Sequence, residues 1–293
     1  MTRVVQLTDT HVPASSTMPT VLELLADVRS GDPVAHLELV LDDIASLDPG
    51  PDLVVGTGDL SDTGDPDAYR RLRALVGRLD LPVWVLPGNH DLADALDVHL
   101  VGDTFHAGLT SRHGPWCFLY VRTGNTEWGE IEPDHAEALR AALAEEDADH
   151  VMVWIHHPPV GQHLAAHETL VRDDLRGVLA GDDRVRAIAA GHVHVDARHD
   201  LDGVPVHLTP STYTGRPAPG YRVFDLYDDG TVATEVRFIE AGFAFDDDQR
   251  ERLIAMAAER YRAEPSARRG GAATARAEVE GWRNAARARS ARR

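Results

Sequence analysis

Five short segments of the sequence combine aspartate, asparagine and histidine, the side chains that bind divalent cations and transfer protons. Carboxylate and amide oxygens mixed with imidazole nitrogens suit borderline ions such as Mn, Fe(II), Zn or Co, and the absence of thiolates argues against a structural zinc site. Seven ligands drawn from these segments would be too many for one ion and a good number for two ions that share a carboxylate, an arrangement used for phosphoryl transfer. The segments are Asp9-Thr10-His11, Gly58-Asp59, Gly88-Asn89-His90-Asp91, His156-His157-Pro158-Pro159 and Gly191-His192-Val193-His194.

Each segment follows a short apolar run that predicts a buried strand, at residues 4–7, 53–55, 83–86, 151–155 and 185–190. In an open α/β sheet, ligands bind beyond the carboxyl ends of the strands, so the five segments are expected to meet at one rim. Glycines precede Asp59, Asn89 and His192 and allow sharp turns there. His192 and His194 flank Val193, so an extended segment would turn both imidazoles to the rim.

The rest of the pattern predicts an α/β fold. Helical periodicity separates the strands at residues 22–28, 37–47, 66–79, 133–145 and 168–179, which indicates a parallel sheet covered by helices. A further strand is predicted at 116–121. From residue 204 the pattern is all-β, with strands at 204–208, 221–227 and 231–239 and an Asp228-Asp229-Gly230 turn before the last. A second sheet packed on the first would account for these strands.

Composition limits the classes of protein. The 293 residues include 48 acidic and 29 basic side chains, a net charge of −19, which argues against a nucleic-acid-binding protein. Cys117 is the single cysteine, no apolar run reaches about 18 residues and no signal-peptide pattern follows Met1, so a cytoplasmic protein without membrane insertion is expected. The composition shifts near residue 246, which predicts a catalytic domain at 1–245 and an amphipathic helix with an Arg/Ala-rich tail at 246–293.

The five segments, in this order, resemble the motifs of the calcineurin-like metallophosphoesterase superfamily, over residues 3–240. The resemblance implies a four-layer α/β/β/α sandwich of two mixed sheets with two divalent ions (Mn, Fe or Zn) at the rim. It implies that His90 contacts the scissile phosphate or protonates the leaving oxygen and that Asp91 orients His90. It also implies one ion held by Asp9, His11, Asp59 and His194, and a second held by Asp59, Asn89, His156 and His192.

The narrower similarity is to class III cyclic nucleotide phosphodiesterases. It implies hydrolysis of a 3′,5′-cyclic nucleotide of the cAMP type, with a water or hydroxide bridging the ions as the nucleophile. A glycerophosphodiesterase, a 2′,3′-cyclic phosphodiesterase, a general phosphatase of the same superfamily and a non-catalytic scaffold are the alternatives. The substrate is expected to be a small phosphodiester, and a homodimer is left open.

The sequence also suggests positions for several other histidines and aromatic residues. His157 is expected to support a ligand, and a substrate contact is left open for His157, His163 and His207. Tyr213 and Thr214 are expected either at the substrate or in surface packing. Core positions are expected for Trp84, Trp116 and Trp154, and solvated or helix-surface positions for His36, His99, His135, His150 and His199.

Overall fold

The computed structural model describes residues 1–15, 32–124, 126–161, 165–213 and 218–239. The predicted helix at 22–28, the boundary at residue 245 and the tail at 246–293 lie outside these residues, so the division into domains stays a prediction. Within the described residues no helix is both long and apolar enough to cross a membrane. The strands are β1 Thr2–Leu7, β2 Leu53–Thr57, β3 Val83–Leu86, β4 Phe105–His106, β5 Thr110–His113, β6 Trp116–Val121, β7 His150–Ile155, β8 Val185–Ala190, β9 Ala197–Leu201, β10 Val204–Leu208, β11 Gly220–Leu226 and β12 Val232–Phe238.

Five α-helices accompany the strands in the described part of the chain. Proline occupies the first turn of three of them, where its missing N–H is not needed, and the Asp32 and Asp65 carboxylates cap the first two by accepting backbone N–H groups. A short 3₁₀ turn, Gly77–Leu79, follows the second helix. The helices are α1 Pro33–Ala45, α2 Pro66–Val76, α3 Ala93–His99, α4 Pro133–Glu145 and α5 Ala165–Leu179.

The strands form two six-stranded mixed sheets. Sheet A has the order β12-β11-β1-β2-β3-β4, and sheet B has the order β5-β6-β7-β8-β10-β9. Strands β1 to β4 are parallel, as are β6, β7, β8 and β10, while β11, β12, β5 and β9 pair antiparallel. All parallel strands of each sheet therefore present their carboxyl ends at one edge.

Alternate side chains of the strands enter different layers. In β1, Val5 packs with Leu37 of α1 on the outer face of sheet A, whereas Val4 packs with Phe118 and Trp154 of sheet B. Helices α4 and α5 cover the outer face of sheet B, where Leu139 and Leu175 are fully buried. The result is the predicted four-layer α/β/β/α sandwich.

The origin of the second sheet differs from the prediction. The three C-terminal strands do not form a sheet of their own. Strand β10 joins sheet B beside β8, while β11 and β12 extend sheet A from β1. Helix α3 and the short strands β4, β5 and β9 were also not predicted, since strands of two to five polar or mixed residues carry little hydrophobic alternation.

Candidate metal centre

The seven side chains proposed as metal ligands lie together at one rim of the sandwich. Three of the segments that carry them follow β1, β2 and β3 in sheet A, and two follow β7 and β8 in sheet B. We call these side chains the rim cluster; they are Asp9, His11, Asp59, Asn89, His156, His192 and His194.

One half of the rim cluster forms around Asp9. Its Oδ1 lies 3.1 Å from Nε2 of His194, and its Oδ2 accepts hydrogen bonds from the backbone N–H of His192 at 3.0 Å and from the Thr8 hydroxyl at 2.7 Å. One ligand atom from each of Asp9, His11 and His194 falls within 4.8 Å of the others. This half can therefore offer three ligand atoms to one ion.

The other half forms around His156. Its Nδ1 lies 2.8 Å from the carbonyl oxygen of Thr57, which can only accept, so Nδ1 carries the proton. Its Nε2 lies 3.2 Å from Asn89 Oδ1 and 3.4 Å from Asp59 Oδ1. Once His156 releases its Nε2 proton, it presents a lone pair toward these two oxygen acceptors, an arrangement that a cation between them would satisfy.

Asp59 lies between the two halves. Its Oδ2 is 3.8 Å from His11 Nε2 and its Oδ1 is 3.4 Å from His156 Nε2. The same Oδ1 accepts the backbone N–H of His90 at 2.9 Å. One carboxylate oxygen thus faces each half, which is the placement that a bridging ligand requires.

The backbone at the rim is held in an uncommon conformation. Asp9, His11, Asp59, His192 and His194 have φ values of 53°, 44°, 49°, 70° and 58°, in the left-handed region that side chains rarely adopt. Such residues cost about 1–3 kcal/mol each and concentrate at functional sites. His192 and His194 are consequently not on an extended segment, contrary to expectation: each reaches the rim through a left-handed turn.

Two glycines permit a close approach of the rim loops. A Cβ on Gly88 would lie 2.2 Å from Asp59 Oδ1 and 2.8 Å from His156 Nε2. A Cβ on Gly191 would lie 2.0 Å from the Thr8 hydroxyl and 2.8 Å from Asp9 Oδ2. Any other residue at these positions would displace a proposed ligand.

The charges of the rim cluster favour a bound cation. Burial opposes ionisation of Asp9, but His194 beside it lowers the pKa of Asp9 to about 2, and His156 likewise holds the pKa of Asp59 well below its usual value despite burial. Burial alone would lower the pKa of His156, yet Asp59 raises that pKa to about 9. Both carboxylates are therefore held in the charged form that binds metal ions.

The residues present fit a pair of divalent ions. Both ring nitrogens of His11 are buried and have no hydrogen-bond partner within the described part of the chain. A buried polar group without a partner costs about 1–3 kcal/mol, and a metal ion at the imidazole would remove that cost. The donor set of carboxylates, one amide and imidazoles is the set that Mn, Fe(II) and Zn share.

His90 and Asp91 occupy the rim, but their predicted relation is wrong. His90 Nδ1 lies 2.9 Å from the carbonyl oxygen of Asp62, so this carbonyl, not the Asp91 carboxylate, orients the imidazole. The His90 ring packs edge-on against His11, with 4.7 Å between the ring centroids. His90 therefore stands beside the proposed metal ligands with Nδ1 protonated and Nε2 available for proton transfer.

Asp91 instead ties two rim loops together. Its carboxylate is buried and accepts the backbone N–H groups of Leu60, Ser61 and Gly88 at 2.9–3.1 Å. The Tyr69 hydroxyl donates a further hydrogen bond at 3.0 Å. Asp91 thus holds the loop of Asp59 against the loop of Asn89 from below the rim.

The remaining predicted residues are placed as follows. His157 is buried, with Nδ1 2.6 Å from the Thr123 hydroxyl and its ring 4.4 Å from that of His192, which fits a supporting role. His207 is buried between the sheets against Phe224. His163 and Thr214 lie outside the described residues.

Two expectations about burial are wrong. His36 is buried, with its Nδ1 3.0 Å from the carbonyl oxygen of Tyr213, and His150 is buried, with its Nε2 3.1 Å from that of Asp228. Tyr213 is also buried, with its ring centroid 6.2 Å from that of His11, which contradicts surface packing; its contact with substrate stays a prediction. The tryptophans Trp116 and Trp154 are fully buried, as expected.

Some residues at the site were missed by the sequence reasoning. Asp62 is buried with Oδ1 3.6 Å from His11 Nδ1, and the Ser211 hydroxyl donates to the carbonyl oxygen of Asp9 at 2.7 Å. Gln6 is also fully buried. The available signal was a polar residue, Gln6, inside the apolar run at 4–7, and a second aspartate three residues after Asp59.

Comparison with known proteins decides the family. The model of the calcineurin-like phosphoesterase family matches residues 2–196. The chain belongs to the calcineurin-like phosphoesterase family. This membership confirms the predicted resemblance and makes the chain a metal-dependent phosphoester hydrolase.

Two curated relatives align with most of this chain. The 3′,5′-cyclic-nucleotide phosphodiesterase of Nostoc sp. is 28% identical over 254 residues, which cover 80% of this chain and 91% of the relative. A probable cyclic nucleotide phosphodiesterase of Rhodococcus erythropolis is 33% identical over 282 residues, 86% and 90% of the two chains. Purple acid phosphatase from yellow lupin superposes with a TM-score of 0.56 at 14% identity, over 84% of this chain and 52% of that one, which shows a shared fold.

Proposed function

We propose that this phosphoesterase hydrolyses 3′,5′-cyclic nucleotides at a centre of two divalent ions. The names of the Nostoc and Rhodococcus relatives and their coverage of most of both chains support this choice of substrate. In this proposal Asp9, His11, Asp59 and His194 bind one ion, and Asp59, Asn89, His156 and His192 bind the other.

The single observation that carries the two-ion proposal is the placement of Asp59. Each of its carboxylate oxygens faces a different half of the rim cluster, His11 on one side and His156 on the other. Because the two halves come from different loops, Asp59 would be the carboxylate that both ions share. A pair of bound ions supplies positive charge that neutralises the phosphoryl group and acidifies water.

This chain's own residues supply proton transfer and orientation. The Asp62 carbonyl keeps the proton of neutral His90 on Nδ1, so Nε2 is the atom that gains and then gives a proton. Protonated at Nε2, His90 can donate to the departing ester oxygen while its backbone N–H remains bonded to Asp59. The Thr57 carbonyl holds His156 so that its Nε2 faces the centre.

A substrate panel with purified protein and added Mn²⁺ tests the proposed function. We expect turnover of 3′,5′-cyclic nucleotides and of a bis-aryl phosphate to exceed that of a mono-aryl phosphate. Preference for the monoester would contradict the proposed diesterase activity. Preference for 2′,3′-cyclic nucleotides or glycerophosphodiesters would change the proposed substrate and would not contradict the two-ion centre.

Metal analysis of a bridging-ligand variant tests the centre itself. We expect Asp59→Asn to lose bound Mn²⁺ and turnover together, whereas Asp94→Asn, which changes an exposed aspartate three residues after Asp91, keeps both. An Asp59→Asn protein that keeps two bound ions and full turnover would contradict the proposed two-ion centre. The homodimer and the cytoplasmic location stay predictions.

A further inference from the structure

The proposed metal ligands come from both sheets, so the relative position of the sheets decides whether the ligands meet. Asp9, Asp59 and Asn89 follow strands of sheet A, whereas His156 and His194 follow strands of sheet B. Most of the layer between the sheets is apolar. Apolar contacts are non-directional and bind the sheets without fixing one strand end against another.

At the rim end of this layer, buried hydrogen bonds cross from one sheet to the other. Gln6 of β1 donates from Nε2 to the Thr57 hydroxyl at 2.7 Å and accepts at Oε1 from the Thr209 hydroxyl at 2.5 Å. Gln6 and Thr57 belong to sheet A, and Thr209 follows β10 of sheet B. All three side chains are fully buried.

Arg222 of β11 reinforces this crossing from sheet A. Its Nε donates to the Thr209 hydroxyl at 3.2 Å, and its Nη2 donates to the Leu208 carbonyl at 2.8 Å and to Asp196 Oδ1 at 2.6 Å. The Arg222 side chain is nearly fully buried, and Asp196 lies two residues after His194. We call Gln6, Thr57, Thr209 and Arg222 the inter-sheet bridge.

The inter-sheet bridge ends on groups that touch the rim cluster. The Thr57 carbonyl lies 2.8 Å from Nδ1 of His156 and 3.1 Å from the Thr8 hydroxyl. The Thr8 hydroxyl in turn lies 2.7 Å from Asp9 Oδ2. The bridge is therefore continuous with a ligand of each proposed ion, and hydrogen bonds in a buried network are directional and strengthen one another.

We propose that Gln6, Thr209 and Arg222 are positioning residues that set the separation between the ligands of sheet A and those of sheet B. This proposal rests on the proposed function, because it assigns the three residues a role only if the rim cluster binds metal. Partners that orient metal ligands from behind typically change metal affinity by 10–100-fold when they are removed.

The test compares isosteric variants of Thr209 with a control elsewhere in the same layer. Thr209→Val removes the hydroxyl and keeps the shape, and Thr209→Ser keeps the hydroxyl. Leu226→Val weakens the apolar layer at the opposite end of β11, where Leu226 pairs with Thr2 at the start of β1. For each protein, Mn²⁺ affinity is measured by equilibrium dialysis, and the Tm of the metal-free protein is measured separately.

We expect Thr209→Val to bind Mn²⁺ about 10–100-fold more weakly than the unchanged protein. Thr209→Ser should stay close to the unchanged protein, and Leu226→Val should lose Tm without losing Mn²⁺ affinity. Gln6→Met removes the same hydrogen bond from the other side and decides the question if Thr209→Val does not fold.

Equal Mn²⁺ affinity in Thr209→Val and Leu226→Val would overturn the positioning role, and so would equal affinity in Thr209→Val and Thr209→Ser. These outcomes leave the proposed function intact if the unchanged protein binds two ions. Failure of the unchanged protein to bind Mn²⁺ would instead overturn the proposed function, and the positioning role with it.

Discussion

We expect Asp91→Asn to weaken the fold and the metal site together, because the Asp91 carboxylate ties two loops that carry proposed ligands. Each carboxylate oxygen accepts two hydrogen bonds, three of the four from backbone N–H groups. Asparagine has almost the same shape but offers only one accepting oxygen. Its NH₂ group must therefore face donors in a site that is almost inaccessible to water.

The magnitude follows from counting the donors that lose a partner. If the asparagine NH₂ turns toward the Tyr69 hydroxyl, that hydroxyl can accept its hydrogen bond, and only the backbone N–H of Ser61 loses its acceptor. In the opposite orientation the backbone N–H groups of Leu60 and Gly88 both lose their acceptor. Each buried group without a partner costs about 1–3 kcal/mol, so in the less costly orientation the free energy of unfolding should fall by about 1–3 kcal/mol.

Urea unfolding of the metal-free protein, followed by circular dichroism, measures this loss, and equilibrium dialysis measures Mn²⁺ affinity. Asp94→Asn is the matched control at an exposed position and should stay within about 0.5 kcal/mol of the unchanged protein. The reasoning is refuted if Asp91→Asn keeps its unfolding free energy and Mn²⁺ affinity but loses turnover with a shifted pH profile. That result would mean that Asp91 acts on the imidazole of His90 after all.

Three further predictions test other parts of the structure. His90→Asn should lower turnover by about 10²–10⁴-fold and leave the Mn²⁺ content unchanged, as measured by metal analysis; loss of metal would make His90 a ligand. Gly88→Ala should abolish Mn²⁺ binding because its Cβ would lie 2.2 Å from Asp59 Oδ1, whereas Gly177→Ala in α5, with no atom within 4 Å, should raise the unfolding free energy by about 0.5–1 kcal/mol. Burial lowers the pKa of His207 to about 4, below its unfolded value near 6.5. The unfolded state therefore binds more protons between these values, so stability falls by up to about 3 kcal/mol as pH drops through that window. His207→Gln should flatten this dependence in urea titrations; an unchanged slope would contradict it.

Much of the fold could be predicted from the sequence because its signals are local. The strands Val83–Leu86, Trp116–Val121, Val185–Ala190 and Val204–Leu208 and the helix Pro133–Glu145 have the predicted bounds. Continuous apolar runs that end in glycine or proline mark buried parallel strands, and proline in the first turn marks the start of a helix.

The partners of the C-terminal strands could not be predicted in the same way. The hairpin of β11 and β12 has a clear turn, yet nothing in its own pattern says that β11 pairs with β1, more than 200 residues earlier in the chain. Edge strands such as β9, which reads Ala-Arg-His-Asp-Leu, are polar and lack the alternation by which strands are recognised.

The sequence by itself determined the chemistry of the rim: the types of ligand, their order, and their position at the ends of strands. Only the tertiary structure decided which groups meet there, because a hydrogen bond between distant residues depends on packing and not on local pattern. Asp91 contacts backbone N–H groups instead of His90, Tyr213 lies buried beside His11, and Gln6 links two sheets through Thr209. Side-chain type and periodicity can be read from the sequence, whereas the distance between two sheets is set only when the sheets pack.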